Sequence, residues 1–572
     1  MKFRILTSHK LSSLKIAASC LTALICASAC TSLPTSSSPE AFDVDAPNAS
    51  PIELSAGGPI ADADPETLLN SFLLACAAGA SDDYATARLF LTSSSAQTWD
   101  PHKLVTIYST DSTPKVAYSF DPSKADTLNA SITAVGVGSV DQNGVLSPAE
   151  TSSLEARFHL VHENGQWRID APADGVVVSQ ASFTASHELV SLMFPSATGD
   201  ALIADPRWYP TRRLETHMVE GLIAGPQSHL GDALVNAIPS GTSISSGGIE
   251  LSDHVAKVSL NGSLPVDERA KRLLAWEISQ TLQRSGRVNS VEIAMGGETL
   301  ETNDLPTQPS YDLDTAVAFS SEGLVRLDGR TTSSRSLPVV PSSSASLPAV
   351  SPVSSSLVAW REGDRMMIVD SALPSMRAVD GSVGNYSPSV DRFGWVWDVS
   401  QNGGARASRI EGQSLAVVPP NQSLNDVAEI RVSPDGARAV LLRSSGGASS
   451  AWIVGIVRRG NGEPIGFTDL EPLTGLSAGV DDISWAGRST LVAVRQGGLR
   501  GSGDQADEVS LVTLPVGGFP SVLALPTGTE RLSAGSSSTT MVIRGKDGSY
   551  QVRSGALWQL LEGKLRDISY PG

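Results

Sequence analysis

Short apolar runs separated by polar turns recur along the C-terminal half of the chain. The stretch "VSPDGARAVLLR" (432–443) shows the unit, in which two apolar runs flank the turn Pro434-Asp435-Gly436. Pro434 presets the backbone for a turn and Gly436 accepts the positive φ that other residues avoid, so the stretch predicts a β-hairpin. Four further stretches repeat the pattern, and they begin at Val350, Tyr386, Ile483 and Leu532.

The spacing of these five hairpins predicts a β-propeller. Their first residues lie 36 to 51 residues apart, which is the length of a four-stranded blade. The last residues, "RDISYPG" (566–572), look like a first strand with nothing after it, whereas "AVAFSSEGLVRLDG" near Asp314 looks like later strands without a first. Joining them closes a ring. We therefore expect about six blades over residues 314–572; five or seven blades, or a β-sandwich, are the alternatives.

The region 61–185 combines helix signals with later strand signals. Asp64 is placed to cap a helix whose first residue is proline, and an apolar face that includes Cys76 follows. The stretch "SDDYATARLFL" (81–91) predicts a second helix. Four strands are predicted after it, the last two joined by Asn164-Gly165, a strong hairpin signal. Helices followed by a curved sheet resemble the NTF2-like α+β fold, which often holds a pocket.

The region 186–305 has a different order of elements: strand, helix, strands, helix, strand. "ETHMVEGLIAGP" (215–226) predicts a helix that ends at Gly225, and "VDERAKRLLAWEISQTLQRSG" (266–286) predicts an amphipathic helix that ends at Gly286. Together with the strand candidates "VAKVSL" and "VNSVEIAM", these motifs resemble the GerMN module of spore-germination proteins. The resemblance implies an α+β binding or assembly module without known catalytic residues.

The first 29 residues carry the pattern of an export signal. Four basic residues and no acidic one precede an apolar stretch that is short for a membrane span and ends in small residues. Its end, "ASAC", resembles a bacterial lipoprotein box, with Cys30 as the thiol that would receive the lipid. We therefore expect residues 1–29 to be a signal peptide, Cys30 to be lipidated and residues 30–60, rich in Ser and Pro, to be a flexible tether. Signal cleavage without lipidation is the alternative.

Charge and composition narrow the class of partner. The chain has 42 basic and 60 acidic residues, which gives a net charge of −18. Removal of the signal takes away four basic residues, so the mature chain has 38 basic and 60 acidic residues and a net charge of −22. An acidic chain without basic clusters argues against binding to nucleic acid and against an electrostatic grip on anionic lipid. With 41% apolar and 18% charged residues, the composition is that of an ordinary folded protein.

The C-terminal half contains few residues with catalytic chemistry. Because His254 is the last histidine and Cys76 the last cysteine, a Ser-His-Asp or Cys-His nucleophile and a metal held by His or Cys are excluded there. Asp481-Asp482 is expected to cap a turn, and the strand tryptophans are expected in the core. We therefore expect no catalytic residue, metal ligand or cofactor. One alternative hypothesis is a hydrolase whose catalytic groups are carboxylates alone. The remaining histidines are scattered over strand, helix and loop segments, as at His187, His217, His229 and His254.

The order of these parts resembles that of one family. A lipoprotein box, a helix-first α+β domain, a GerMN module and a C-terminal propeller resemble LpqB, an actinobacterial lipoprotein family, over nearly the whole mature chain. The resemblance implies anchoring at the extracytoplasmic face of the membrane and contact with the external part of MtrB, the sensor histidine kinase of the MtrA–MtrB system, in cell-wall homeostasis and division. Only Cys30 transfers as a functional residue. The alternative is a binding protein for cell-wall glycan or lipid that uses the NTF2-like pocket or the central face of the propeller.

Overall fold

The structure is a computed structural model, and it describes residues 56–572 apart from several short segments. Excepted are residues 121–125, 150–152, 329–333, 338, 374, 402, 474, 497–508 and 562–563. The expected signal peptide, the lipidation candidate Cys30 and most of the expected tether therefore lie outside the described residues. None of the helices in the described part of the chain is both long and apolar enough to cross a membrane.

The first module opens with the helix that its sequence predicts. Helix α1 spans Pro65–Asp82, and the carboxylate of Asp64 accepts the N–H of Thr67 at 2.7 Å. This bond satisfies one of the free donors at the start of the helix. The apolar face of α1 is buried, as predicted, and Cys76 lies within it.

The predicted second helix, residues 81–91, is wrong in its extent. Asp83 and Tyr84 adopt left-handed backbone conformations, with φ of 57° and 58°, and they end α1. Only one helical turn, α2 (Ala85–Arg88), follows them. The break is stabilised by packing, because the ring of Tyr84 lies against Gly79, where any side chain would collide with it.

A short helix, α3 (Ser95–Thr98), leads into a seven-stranded sheet that shares one hydrophobic core with α1. The strands are β1 (Leu104–Tyr108), β2 (Lys115–Phe120), β3 (Thr127–Asp141), β4 (Leu146–Pro148), β5 (Ser153–Glu163), β6 (Gln166–Asp170) and β7 (Val176–Ser179). Their order is β6-β5-β3-β1-β7, with β2 and β4 also paired to β3; only β1 and β7 are parallel. Asn164 and Gly165 both have positive φ in the β5–β6 turn, as predicted. The α+β class is confirmed, and the NTF2-like assignment stays a prediction.

The second module follows the first without a linker, because helix α4 (Gln180–Ser186) ends where strand β8 begins. Strands β8 and β9 form a hairpin of their own, and the other five strands form a sheet in which β12 and β13 are parallel. The elements are β8 (His187–Pro195), β9 (Leu202–Pro210), α5 (Leu214–Ala224), β10 (Ser243–Ile244), β11 (Glu250–Ser252), β12 (Val255–Asn261), α6 (Glu268–Gln283), β13 (Ser290–Met295) and β14 (Glu298–Leu300).

Both predicted helices of this module are confirmed, and α6 carries one feature that its periodicity does not show. Helix α5 ends at Gly225, whose φ is 91°. On the buried face of α6 lies Glu277, with one carboxylate oxygen accepting the N–H of Ala237 at 2.8 Å and the other without a partner. Burial holds the pKa of Glu277 well above its ordinary range, because desolvation disfavours the charged form of the carboxyl group.

The C-terminal part forms six sheets of four or five strands, as expected for a propeller. Separated by semicolons into sheets, the strands are β15 (Thr315–Ser320), β16 (Gly323–Asp328), β17 (Ser334–Ser336); β18 (Ala345–Val350), β19 (Leu357–Glu362), β20 (Arg365–Asp370), β21 (Ser375–Asp380); β22 (Ser382–Val383), β23 (Ser389–Val390), β24 (Val396–Ser400), β25 (Ala405–Ser408), β26 (Ser414–Val417); β27 (Val427–Val432), β28 (Arg438–Ser445), β29 (Ala448–Arg458), β30 (Pro464–Phe467), β31 (Glu471–Pro472); β32 (Val480–Trp485), β33 (Thr490–Gln496), β34 (Val509–Pro515), β35 (Ser521–Ala524); and β36 (Thr529–Ala534), β37 (Met541–Gly545), β38 (Tyr550–Ser554), β39 (Leu557–Leu560).

The ring closes through the last strand of the chain. Strand β40 (Arg566–Ser569) pairs antiparallel with β15 and completes the sheet of β15, β16 and β17. The innermost strands contact one another in a closed circuit, β40-β18-β23-β27-β32-β36. The composite blade predicted from the two incomplete ends is therefore present, and it leaves no innermost strand without a neighbour on either side.

The propeller tryptophans lie mainly in the packing between blades, as expected. Trp360, Trp395, Trp397 and Trp485 are each at most 1% exposed, whereas Trp452 is partly buried. Gly436, the turn glycine of the central hairpin, has the predicted positive φ of 72°. These hairpins form because the turn chemistry and the apolar alternation agree locally.

Candidate functional site between the first two modules

The functional candidate from the sequence, Cys30, lies outside the described residues, and Cys76 is too deeply buried to react with a solute. Burial raises the pKa of the Cys76 thiol far above its ordinary value, and a thiol in that state is a poor nucleophile. Within the described residues, no group of three or more His, Cys, Asp or Glu side chains could hold a metal ion. Cavities lined by polar side chains are therefore the remaining candidates for a functional site.

Three histidines from distant parts of the chain line one pocket of about 390 Å³. His102 lies between α3 and β1, His187 is the first residue of β8, and His217 is in α5. His187 and His217 lie on a strand and a helix, as the sequence indicates, but the sequence does not show that they line a common pocket. The sheet of the first module and the first helix of the second are held side by side, and this packing brings residues together that the sequence separates.

The walls of this pocket come from both α+β modules, so we name it the intermodule pocket. The first module contributes Asp83 and Tyr84, which follow α1, together with His102. The second module contributes His187 and His217, and it adds the end of β9 and the segment that opens α5. The residues that it supplies there are Trp208, Tyr209, Arg212 and Arg213.

Two histidine–carboxylate contacts lie at the edge of the intermodule pocket. His102 Nε2 is 2.9 Å from Asp83 Oδ1, and His217 Nδ1 is 3.2 Å from Glu220 Oε2. Since all four side chains are at least partly exposed, each contact adds little to stability. Their effect is to orient the imidazole rings and to occupy two of the carboxylates at the edge.

His187 has a different environment, because it is only 8% exposed although it lines the pocket. Its ring stacks on Phe183 with centroids 4.5 Å apart, and its Nδ1 lies 2.9 Å from the hydroxyl of Ser186. Desolvation lowers the pKa of His187 to about 4. The ring is therefore neutral near pH 7, with Nε2 free of any hydrogen-bond partner among the described residues.

Beside the pocket, an aromatic cluster joins all three modules. Phe183 of α4, Trp208 of β9 and Phe519 of the propeller lie within 6.0 Å of one another by ring centroid. The indole N–H of Trp208 also donates to the carbonyl of Gly517 at 2.9 Å. Trp208 thus faces the intermodule pocket on one side and binds the propeller on the other, and aromatic pairs of this kind contribute about 1 kcal/mol each beyond the area they bury.

A second set of contacts fixes the second module to the propeller. Both carboxylate oxygens of Asp200 accept from the guanidinium of Arg392 at 2.8 Å, and the side chain of Arg392 is 6% exposed. This arginine, through its hydrogen bonds, lowers the pKa of Asp200. Arg438, fully buried, donates to the carbonyl of Ala204 at 3.2 Å. A bidentate contact is the strong form of the Arg–carboxylate pair, and the arginine is buried while the side chain of Asp200 is 51% exposed. Together with the bond from Arg438, this pair holds the two modules as one unit.

The axis of the propeller holds charged side chains in pairs. Glu429 and Arg431 of β27 lie beside Asp482 of β32 and Arg531 of β36, and burial raises the pKa of both carboxyl groups. Asp482 was expected to cap a turn; instead it accepts the N–H of Leu532 in the next blade at 2.8 Å. The adjoining cavity of about 40 Å³ is large enough for a few water molecules and far smaller than a sugar ring requires.

The first module contains a further cavity of its own, about 430 Å³ in volume. It is lined mainly by apolar side chains, which include Phe72, Trp99 and Phe158, with Arg157 and Glu155 at its edge. A cavity of this size and lining is typical of small-molecule sites.

Two small α+β modules that are fixed to a closed propeller define the class of the protein, a multidomain chain with a C-terminal β-propeller. Three family models match the same parts of the sequence: "Lipoprotein LpqB, N-terminal domain" at residues 58–184, "Sporulation and spore germination" at residues 191–301, and "Lipoprotein LpqB beta-propeller domain" at residues 322–571. The chain belongs to the LpqB lipoprotein family. Lipoproteins are attached to membranes through covalent lipid.

Individual relatives show the same assignment at low identity. Lipoprotein LpqB of Nocardia farcinica is 23% identical over 542 residues, 85% of this chain and 86% of the relative. That of Bifidobacterium longum is 26% identical over 75% of this chain and 74% of the relative. The match to the Cutibacterium acnes protein, 28% identical, covers 47% of this chain and less than half, 44%, of the relative.

Among solved structures, a chain of a nidogen/laminin complex matches 45% of this chain and 97% of its own length, with 12% identity and a TM-score of 0.34. The blades are therefore assigned from the strand pairing itself and not from this similarity.

Proposed function

We propose that the protein is a lipid-anchored regulatory lipoprotein on the extracytoplasmic face of the cell membrane, where it binds the external domain of an MtrB-type sensor histidine kinase. The resemblance of its domain order to that of the LpqB family supplies the partner and the link to cell-wall homeostasis and division. The export-signal pattern and the lipoprotein box at Cys30 support the anchor and the location.

The observation that carries this proposal is the fixed docking of the three modules. The Asp200–Arg392 pair and the aromatic cluster of Phe183, Trp208 and Phe519 hold them as one unit. A unit of this kind presents an extended surface of constant shape, which suits recognition of a folded partner because little conformational entropy is lost on binding. If that surface binds one kinase conformation better than another, it shifts the kinase population by the difference in affinity.

The experiment is photo-crosslinking in cells with the full chain. A photoreactive amino acid replaces, one at a time, an exposed residue of each module: Leu89, Val266 or Leu557, which are 57%, 96% and 69% exposed. We expect one position, and not all three, to capture the external domain of a histidine kinase, which identifies the module in contact. Capture of wall polymer or wall-building enzymes alone, at all three positions, would overturn the proposal.

The anchor is tested with the same three variants after a second substitution, Cys30→Ser. Without the thiol no lipid can be attached, so we expect the chain to leave the membrane fraction and the kinase crosslink to weaken in proportion. A Cys30→Ser chain that still sediments with membranes would contradict the anchor.

A second candidate function is binding of cell-wall glycan or lipid, and the apolar cavity of the first module, about 430 Å³, favours it. A ligand that binds the folded state raises the melting temperature in proportion to its concentration above Kd. Thermal-shift measurements with wall fragments and with short-chain lipids separate the two functions. A clear rise in melting temperature supports the function in glycan or lipid binding, whereas an unchanged melting temperature supports the function in kinase binding.

A further inference from the structure

The intermodule pocket has more unmatched hydrogen-bond donors than acceptors. Of the three carboxylates that line it, Asp83 is paired with His102 and Glu220 with His217. The third, Asp141, accepts two backbone N–H groups of its own turn, each at 2.9 Å. Hydrogen bonds therefore occupy acceptor sites on all three carboxylates, although their negative charges remain beside those of the two arginines.

The two arginines of the pocket are engaged much less. Arg212 donates from one guanidinium nitrogen to the carbonyl of Ser81 at 2.6 Å, and the guanidinium group of Arg213 makes no hydrogen bond with any described residue. Glu220 lies close enough to Arg213 for the charge of the arginine to lower its pKa, after the larger effect of His217. Most of the ten N–H donors of these two guanidinium groups thus remain available.

The same residues open helix α5, which adds a fixed positive potential. Arg213 occupies the N-cap position in a left-handed conformation, with φ of 55°, and no side chain caps the first turn of this 11-residue helix. The uncapped N–H groups and the helix dipole favour negative charge at this end, and Glu215 in the first turn supplies part of it. Because α5 begins at the pocket wall, that potential acts on whatever occupies the pocket.

An independent feature inside the pocket points to a ligand. His187 is nine-tenths buried, it lines the pocket, and Nε2 is the ring nitrogen without a partner. Polar atoms in protein interiors normally bond to a protein group or to water, so this nitrogen is free to accept a hydrogen bond from a water molecule or a ligand in the cavity. The rings of Tyr84, Trp208 and Tyr209 line the same cavity, so it offers flat apolar surfaces beside the donors.

We propose that the intermodule pocket binds a phosphate-bearing polar solute of about the size of a sugar phosphate. Two guanidinium groups and a helix N-terminus hold the phosphate, the aromatic walls pack on the ring, and His187 Nε2 receives a hydroxyl hydrogen bond. The volume of about 390 Å³ lies within the range of small-molecule sites. Free sugar phosphates and lipid headgroups share this chemistry, so the test must distinguish them.

The full chain is solubilised in detergent micelles, and binding is measured by calorimetry and by the change in total tryptophan fluorescence, to which Trp208 of the pocket contributes. The probes are inorganic phosphate, glucose 1-phosphate, glucose, glucuronate and dioctanoyl phosphatidylinositol. We expect saturable binding of glucose 1-phosphate, with glucose at least tenfold weaker. Preferential binding of the inositol lipid would support the site and assign its natural ligand to a lipid headgroup.

Three single variants assign the binding to this pocket. Arg212→Gln and Arg213→Gln each remove one guanidinium group from an exposed position, so the fold is kept, and each should weaken glucose 1-phosphate binding about tenfold. Arg272→Gln, an exposed arginine on α6 outside the pocket, is the matched control and should bind as the wild type does.

Three results would overturn the proposal. The first is no binding of any phosphate probe at 10 mM, and the second is equal affinity for glucose and glucose 1-phosphate. The third is glucuronate binding as tightly as glucose 1-phosphate, which would mean that the site recognises carboxylates as well and is not a phosphate site. None of these results bears on the kinase crosslink, so the two proposals fail separately.

Discussion

The contact between the second module and the propeller should be weakened by acid through His229. This side chain is 9% exposed, its Nε2 has no hydrogen-bond partner, and its carbonyl accepts the N–H of Gly455 in β29 at 3.2 Å. Desolvation lowers the pKa of His229 to about 4; Asp205 opposes this, whereas Arg438 and Arg207 reinforce it. The ring is thus neutral when folded over most of the accessible pH range.

The size of the effect follows from the difference between the two states. Unfolding restores an ordinary pKa of 6.5, so between pH 6.5 and 4 the unfolded chain binds a proton that the folded chain does not. Stability therefore rises with pH in this window and is lost as the pH falls. At about 1.4 kcal/mol per pKa unit, the loss attributable to His229 is about 2 kcal/mol at pH 5 and about 3 kcal/mol at pH 4.

The assay is urea denaturation, followed by tryptophan fluorescence, of the wild type and of His229→Met between pH 7.5 and 5. Methionine has a similar volume and does not titrate, so the difference in free energy of unfolding should shift by about 2 kcal/mol in favour of the variant as the pH falls. Leu230→Val, a change at the adjacent buried residue, should lower stability equally at every pH. A His229→Met difference that stays constant with pH would refute the reasoning.

Three further predictions concern buried charge and ring closure. Burial raises the pKa of Glu277, so ionisation of this carboxyl group in the unfolded chain lowers the free energy of unfolding as the pH rises. Glu277→Gln should therefore raise the free energy of unfolding at pH 7.5 and should lose this effect towards pH 4.5. Urea titrations in which the variant is no more stable than the wild type at pH 7.5 would contradict the prediction. In a double-mutant cycle, Asp200→Asn and Arg392→Gln should show a coupling energy of about 1 kcal/mol in the free energy of unfolding. Additive effects of the two substitutions would show that the pair does not contribute to stability. Removal of residues 566–572 takes β40 from β15 and should cause aggregation in light scattering, whereas a monomeric product with unchanged melting would mean that closure is dispensable.

The propeller was predictable because its signals are local. The turn of 434–436 and the Asn164-Gly165 turn each specify a hairpin through two or three residues. The composite blade was predictable because the region begins with strands that lack a first strand and ends with a first strand that lacks the others. Pairing the two ends closes a ring, which leaves no unpaired edge. Single residues likewise specify the beginning of α1, at Asp64, and the end of α5, at Gly225.

The failures share a different cause, which is packing between distant segments. The predicted second helix is interrupted at Asp83 and Tyr84, where the ring of Tyr84 packs on Gly79. Helix propensity carries no information about that contact. Asp482 caps a strand of the neighbouring blade, 50 residues later in the chain. The histidines of the intermodule pocket come from two modules, and no periodicity relates them. The one local hint was the basic pair Arg212-Arg213 directly before a predicted helix.

The position of the intermodule pocket connects ligand binding to the docking of the modules. Trp208 lines the pocket, stacks with Phe183 and Phe519, and donates to a propeller carbonyl. A solute that packs on Trp208 therefore stabilises the orientation that holds the propeller, and by thermodynamic reciprocity the docked propeller strengthens binding of the solute. If the proposed partner recognises the surface of the docked unit, the affinity of the lipoprotein for that partner would rise with occupancy of the pocket. The two proposals together then predict that a small phosphorylated molecule strengthens binding of the partner.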